Sequence, residues 1–150
     1  MQNIFNKSLR EFKMKFNLIL LLLLSSFCFA KTQIELIDIY DGDTISAKIK
    51  KEKFQIRLIG IDCFEISPLN RAYKQAYKNK LNIEEVIKQG KSAKKYLESL
   101  YKNSNKNVYF DFYGIDKYSR ALGILYFDKL NINEELANKN ICPRYKHFSD

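Results

Sequence analysis

The chain has 150 residues, of which 46% are hydrophobic, and 26 basic against 17 acidic residues give it a formal net charge of +9. This length allows about one domain, and the composition is that of a foldable globular protein without a low-complexity tract. The basic excess favours a polyanionic partner, nucleic acid or an anionic membrane surface, and does not decide between them.

Residues 1–30 have the layout of a secretory signal peptide. Basic residues precede an apolar run at 18–24, and mostly small or apolar residues lead to Ala30. The run is shorter than the roughly 20 apolar residues that span a bilayer. We therefore expect cleavage after Ala30 and a protein that is exported, periplasmic or secreted, with no stable membrane association afterwards.

Three alternatives concern the same segment. The signal could stay attached as a membrane anchor, translation could start at Met14, and Cys28 could be lipidated, although the bulky residue before it argues against lipidation. Residues 1–30 hold four basic residues and one acidic residue, so residues 31–150 keep 22 basic and 16 acidic residues, a formal charge of +6.

Three stretches of alternating apolar and polar residues predict a meander of short strands. The first covers residues 33–39, the second follows a turn at 41–43, and the third follows a charged turn at 50–53. The residues predicted to share one face of the first strand are Ile34, Leu36, Asp38 and Tyr40.

The middle of the chain is predicted to hold an irregular surface excursion and a helix. Residues 67–81 are polar, basic and aromatic without a clear period. Asn82, with Glu85 three residues later, is typical of a capping box, and Gly90 then interrupts the pattern. Apolar residues at helical spacing predict a helix over 91–102.

The last third is predicted to add two strands, at 108–113 and 122–127, and a short helix capped by Asn131 or Asn133 and closing near Asn140. The order is then three strands, a helix, two strands and a short helix.

That order is the one found in the OB-fold, so we predict a mainly β fold with helices, a five-stranded OB-fold barrel, for residues 31–150. The residues from Pro143 onwards are expected to be loosely held.

Several kinds of site are excluded by the side chains present. His147 is the only histidine, so chemistry that needs two histidines in one chain is ruled out, and there is no P-loop or GxGxxG motif. Two cysteines follow the signal segment, Cys63 and Cys142. An even number in an oxidising compartment favours a disulfide, with two separate buried thiols as the alternative.

Carboxylates and one arginine remain as candidates for chemistry. Asp41 and Asp43 lie in the first turn, and Asp62 and Glu65 follow the third strand. If both positions lie at one end of the barrel, their oxygens would suit Ca²⁺ or Mg²⁺. Arg57 stands among apolar residues in the third strand and must be paired or face a functional surface.

Four segments carry a family resemblance. Residues 39–45 (IYDGDTI) resemble the DGDT motif of the thermonuclease (staphylococcal nuclease-like) family, and residues 56–65 (IRLIGIDCFE) resemble its R-L-x-G-I-D-x-P-E segment. Residues 116–122 (DKYSRAL) resemble its D-x-Y-G-R-x-L segment, and residues 133–136 its V-N-x-x-L helix start. The matches occur in the family's order and span roughly residues 34–145, nearly the whole of the predicted mature chain.

The resemblance implies a Ca²⁺ site with Asp43, Asp62 and the backbone carbonyl of Cys63 as ligands. Asp41 is expected to orient the loop that carries Asp43. Cys63 stands where the family often has threonine, which a carbonyl ligand tolerates because only the backbone is used.

The resemblance further implies catalysis by Glu65 as general base and by Arg57 and Arg120 as phosphate contacts. The predicted function is Ca²⁺-dependent endonuclease hydrolysis of DNA and RNA by a monomer. The rival interpretation is a non-catalytic OB-fold module that binds nucleic acid or another polyanion. Two departures from the family pattern lie in this machinery: Phe64 replaces the usual proline and Ser119 the usual glycine.

Further contacts with nucleic acid are predicted in the basic segment and near the C-terminus. Arg71, Lys74 and Lys78 could follow a phosphate backbone, and Tyr145 could stack on a base. The alternative for the basic residues is an exposed segment that serves solubility.

Overall fold

The computed structural model describes residues 31–145. The predicted signal peptide at 1–30 and His147 lie outside the described residues. The elements are β1 (Thr32–Ile39), β2 (Thr44–Ile49), β3 (Glu52–Leu58), α1 (Asn70–Asn79), α2 (Ile83–Lys102), β4 (Val108–Ile115), β5 (Ala121–Phe127), β6 (Leu130–Asn131) and α3 (Ile132–Asn138). Within this range no helix combines the length and apolar character needed to cross a membrane.

Strands β1 to β5 close into a barrel, as predicted. The sheet order is β3-β2-β1-β4-β5-β6, and a parallel pairing between β3 and β5 completes the circle. Closure leaves few unpaired strand edges. Fully buried side chains from the barrel, α2 and α3 fill its interior, among them Ile45, Ile56, Leu58, Leu97, Leu125 and Leu136.

A β-bulge in β1 overturns the predicted facing of that strand's last residues. The register with β2 shifts between Leu36 and Asp38. Beyond the bulge Ile39 is buried, whereas Asp38 and Tyr40 are exposed. The prediction that Asp38 and Tyr40 share the face of Ile34 was wrong, because an extra residue in a bulge reverses the alternation.

Residues 67–81 are not an irregular excursion, since most of them form α1. The helix escaped prediction because its buried face consists of small and polar residues, Ala72, Gln75 and Ala76. Gly90 does not interrupt α2, which runs through it for 20 residues. The predicted capping box is confirmed, with Asn82 and Glu85 each bonding the other's backbone N–H.

Helix α3 is tied to the barrel by a buried asparagine. Asn131 caps the helix by accepting from the N–H of Glu134. Asn133 instead accepts from Leu125 N (3.0 Å) and donates through Nδ2 to the carbonyls of Ile59 (2.8 Å) and Gly123 (3.1 Å). It thereby fixes the end of β3 against β5.

The segment after α3 packs back on the barrel mouth. Asp62 N donates to the carbonyl of Pro143 (2.9 Å) and Tyr145 N to that of Gly60 (2.9 Å), with an antiparallel bridge between Ile61 and Arg144. The expectation that this segment is loosely held was therefore wrong as far as Tyr145. The remaining residues lie outside the described range.

Candidate active site

Strand pairing brings Asp43 and Arg57 together at one mouth of the barrel. Thr44 is the register partner of Arg57, and Leu58 N donates to the carbonyl of Asp43 (2.8 Å). Arg57 Nη1 forms an ion pair with Asp43 Oδ1, and its Nη2 contacts Asp62 Oδ1 at 2.9 Å. Asp43 is only 1% exposed, and a buried carboxylate needs a partner of opposite charge, which this guanidinium provides.

The turn that carries Asp43 is held by Asp41. The Asp41 Oδ1 atom accepts from the backbone N–H groups of Asp43 (3.0 Å) and Thr44 (2.7 Å). Gly42 lies so close to Cys63 and Ala93 that any side chain there would overlap them. Asp43 Oδ2 accepts from Cys63 N (2.6 Å), which joins this turn to the loop that bears Asp62 and Glu65.

A second arginine enters the site from α1. Arg71 Nη2 contacts Asp62 Oδ1, and its Nε contacts Glu65 Oε1 at 3.2 Å. Asp62 Oδ1 is therefore shared by Arg57 and Arg71. Arg71 was predicted only as a nucleic-acid contact on a surface segment, and the structure places it between two of the predicted site carboxylates.

Arg120 is positioned by its own turn. Asp116 Oδ2 accepts from Arg120 Nε (2.8 Å) and pairs with its Nη2 (2.7 Å), while Asp116 Oδ1 accepts from Arg120 N. The neighbouring Ala121 is the register partner of Ile56, which sets Arg120 beside the strand that carries Arg57. Ser119 has φ +62° in this turn, a left-handed conformation that explains why glycine is usual at this position.

Burial dominates the electrostatics of this mouth. It raises the pKa of Asp41 against the opposing charge of Arg57, and it raises the pKa of Glu65 against the opposing charge of Arg71. Burial, followed by repulsion from Arg71 and in smaller part from Arg120, lowers the pKa of Arg57. The charge of Arg120 therefore acts on Arg57, although Asp116 is its direct partner.

The donor chemistry fits a hard divalent cation. Three carboxylates, Asp43, Asp62 and Glu65, contact the two guanidinium groups of Arg57 and Arg71, which leaves a formal charge of −1. Oxygen ligands and residual negative charge are what Ca²⁺ selects. Among residues 31–145 no three His, Cys, Asp or Glu side chains are grouped as a metal site, so two carboxylates would need a backbone carbonyl and water beside them.

The other predicted contacts lie farther out. Lys74 and Lys78 are exposed on α1 and follow Arg71 on the same side of the helix, at spacings of three and seven residues. Tyr145 is 45% exposed, in the segment paired with Gly60.

Cys63 and Cys142 are joined by a disulfide, with their Cα atoms 4.4 Å apart. The bond links the loop between Asp62 and Glu65 to the segment that follows α3, and so it adds a covalent hold beside the site.

The sequence analysis missed the supporting roles of two residues. Gln75 is buried and bonds the backbone on both sides of Phe64, and Asn133 holds the β3 end that leads to Asp62. The sequence holds a signal for the role of Gln75, because Arg71 and Gln75 are four residues apart and share a helix face. It could be used only if α1 had been recognised.

The fold and this mouth define a closed five-stranded barrel of the OB-like class with an acidic and arginine-rich site. A family model described as staphylococcal nuclease homologue matches residues 55–149. Since the match covers more than half of the chain, the protein belongs to the staphylococcal nuclease family, which confirms the resemblance drawn from the motifs.

Two curated relatives are similar over most of the chain. An "uncharacterized endonuclease" of Haemophilus influenzae is 31% identical over 133 residues, which are 88% of this chain and 63% of that protein. An uncharacterized protein of Methanocaldococcus jannaschii is 32% identical over 120 residues, 74% of this chain and 58% of that protein. The chain thus spans about three fifths of the length of these relatives.

Proposed function

We propose that this protein is a Ca²⁺-dependent endonuclease that hydrolyses phosphodiester bonds of DNA and RNA. Membership of the staphylococcal nuclease family and the printed name of the Haemophilus relative support a nuclease-like function. The single observation that carries the proposal is that Arg57 joins Asp43 and Asp62 at the barrel mouth, with Glu65 beside Asp62 through Arg71.

The site residues have the chemistry that this reaction needs. Attack of water on a phosphodiester builds negative charge on the phosphoryl oxygens, which positioned guanidinium groups stabilise. Arg57 and Arg120 supply forked donors, each of which can bond two phosphoryl oxygens. Glu65 orients the attacking water and accepts its proton, and a pKa raised by burial brings it closer to the working pH of a general base.

Ca²⁺ is the proposed cofactor, with Asp43, Asp62 and the Cys63 carbonyl as its protein ligands. When bound, it supplies a positive charge that stabilises the phosphoryl oxygens in the transition state. The carboxylate oxygens of Asp43 and Asp62 and the formal charge of −1 left on the ion-paired groups favour a divalent ion at this place.

The test is hydrolysis of defined DNA and RNA by the purified protein with Ca²⁺ and after chelation by EGTA. We expect cleavage that EGTA abolishes, and losses of about 10²–10⁴-fold in rate for Glu65→Gln and Arg120→Ala. Glu134→Gln, which changes an exposed carboxylate paired with Arg144, is the matched control and should cleave like the wild type.

Two outcomes would contradict the proposal. Intact substrates with Ca²⁺, Mg²⁺ and Mn²⁺ would exclude a nuclease, and binding of nucleic acid under the same conditions would then favour the non-catalytic OB-fold module. Unchanged rates in both site variants would assign the cleavage to a contaminant.

We further propose that the substrate contacts α1 through Arg71, Lys74 and Lys78 and stacks a base on Tyr145. The exposed positions of the two lysines beside Arg71 support this path.

We also propose that the protein is exported after cleavage behind Ala30 and acts as a monomer. The disulfide between Cys63 and Cys142 supports an oxidising compartment. N-terminal sequencing of the protein recovered from cell fractions tests the cleavage, and a start before Lys31 would exclude it. Size-exclusion chromatography with light scattering tests the oligomeric state.

A further inference from the structure

One buried side chain holds the loop that carries Glu65. Gln75, on α1, is 7% exposed. Its Oε1 accepts from Glu65 N (2.9 Å), and its Nε2 donates to the carbonyl of Cys63 (2.9 Å). A single amide therefore satisfies backbone groups on both sides of Phe64.

Helix α2, which forms a hairpin with α1, makes a close contact with the same loop. Gly90, on α2, lies so close to the carbonyl oxygens of Phe64 and Glu65 that an added Cβ would overlap both. The Phe64 ring fills the space between the helices, in a small apolar cluster with Ala72, Ala76 and Val86.

We infer that the α1–α2 hairpin is a clamp that positions Glu65 for catalysis, with Gln75 as its positioning residue and Gly90 as its close contact. The inference deepens the proposed function and rests on it. Phe64 stands where the resemblance leads one to expect proline, whose ring would restrict the backbone directly. Here two hydrogen bonds and a close helix contact restrict that loop from outside.

The clamp acts on two groups of the proposed machinery. It fixes the backbone of Glu65, and it orients the Cys63 carbonyl, a proposed Ca²⁺ ligand. Small displacements of a catalytic group reduce the rate strongly, about 100-fold for 1 Å. Loss of the clamp should therefore lower kcat more than it raises KM, and weaken Ca²⁺ binding.

The test compares Gln75→Met, which keeps the shape and loses both hydrogen bonds, with Gly90→Ala, which forces the loop away from α2. In Gln75→Met the amide of Glu65 should exchange with solvent about tenfold faster in NMR hydrogen exchange, because its acceptor is gone. Both variants should lose kcat by tenfold or more at nearly unchanged KM, and bind Ca²⁺ more weakly by calorimetry.

Two variants serve as controls. Asn79→Ala removes a hydrogen bond within α1, from Nδ2 to the Gln75 carbonyl, and Ile34→Val weakens the barrel core away from the loop. Both should keep the wild-type kcat and Ca²⁺ affinity.

Wild-type kcat in both clamp variants, with the Glu65 amide still protected in Gln75→Met, would overturn the clamp. If the wild type cleaves nothing, the proposed function fails, and the exchange measurement alone then decides whether Gln75 holds the loop.

Discussion

Arg57 links two carboxylates that come from different parts of the chain. Its Nη1 pairs with Asp43 in the turn before β2, and its Nη2 bonds Asp62 after β3. The geometry uses the fork of a guanidinium, which a lysine ammonium cannot reproduce. Because Asp43 is almost fully buried, the free energy of unfolding of the metal-free protein depends on this arginine.

Replacing Arg57 by methionine should destabilise the metal-free protein by about 3–5 kcal/mol, because a buried carboxylate loses its partner. Urea denaturation in EDTA measures this loss. Added Ca²⁺ should restore part of it, since a cation then faces Asp43. Arg144→Met, which breaks an exposed ion pair with Glu134, is the control and should unfold nearly like the wild type. Equal midpoints for both variants would contradict the prediction.

Glu65 gives a pH dependence of defined sign. Burial raises its pKa above the ordinary 4.5, against the opposing charge of Arg71. A carboxyl with a higher pKa in the folded state contributes stability below its ordinary pKa, and this contribution is lost as the pH rises through the raised value. In EDTA, the stability of the wild type relative to Glu65→Gln should therefore fall as the pH rises from 4.5.

The matched control has the opposite sign. A hydrogen bond from Arg144 lowers the pKa of Glu134, so the wild type should lose stability relative to Glu134→Gln as the pH falls below 4.5. Chemical denaturation across the acidic range measures both differences. A parallel course of the two curves would show that Glu65 is not held in a desolvating environment.

At the scale of elements, α1 serves the site with one side and faces solvent with the other. Its inner side carries Gln75 and the small residues that pack on Phe64. Lys74 and Lys78 are exposed along the edge of the helix that carries Arg71, and Tyr77, farther round the helix, is 91% exposed. A helix with cations and an exposed ring beside the proposed active site would be suited to bind a single strand of nucleic acid.

The double substitution Lys74→Ala/Lys78→Ala should weaken binding of a single-stranded oligonucleotide and reduce its salt dependence. Two lost phosphate contacts lower the slope of log K against log salt by about 1.4. Fluorescence anisotropy in a Glu65→Gln background measures binding without cleavage. Lys51→Ala/Lys53→Ala, which removes equal charge from the β2–β3 turn and the start of β3, should leave the slope unchanged. Equal slopes in the parent protein and in both double variants would show that Lys74 and Lys78 do not contact the nucleic acid, and would favour a role of these lysines in solubility.

At the scale of the whole molecule, the C-terminal segment closes over the barrel mouth. The disulfide joins Cys63 to Cys142 across 79 residues, and Pro143 and Tyr145 pair with the backbone that leads to Asp62. The proposed active loop is therefore held by residues 142–145 as well as by the α1–α2 hairpin.

Reduction of the disulfide should lower the free energy of unfolding by about 4.5 kcal/mol, the expectation of the loop-entropy model for a closed loop of this length. Thermal unfolding with and without dithiothreitol measures it, and the rate of cleavage should fall in the reduced protein because Cys63 adjoins Asp62. The double variant Cys63→Ser/Cys142→Ser should unfold at the Tm of the reduced wild type, and dithiothreitol should not change its Tm. A wild-type Tm that dithiothreitol does not change would contradict the prediction.

Much of the fold was predictable because the relevant information is local. Alternation marked four of the five barrel strands, and the Asn82–Glu85 capping box marked the N-terminus of α2, although the helix itself was predicted only over 91–102. Both signals depend on residues a few positions apart. The motifs at 39–45 and 56–65 named the carboxylates and Arg57 as candidates, because the family resemblance depends on particular side chains at set spacings.

Only the tertiary structure decided how α1 and the loop at Phe64 meet. The buried face of α1 is small and polar, so no apolar period revealed it, and its partner lies in a loop. The roles of Arg71 and Gln75 follow from that docking. The facing of Asp38 followed from a bulge, which depends on the neighbouring strand. By itself the sequence determined which groups are available, and packing between distant segments determined which of them meet.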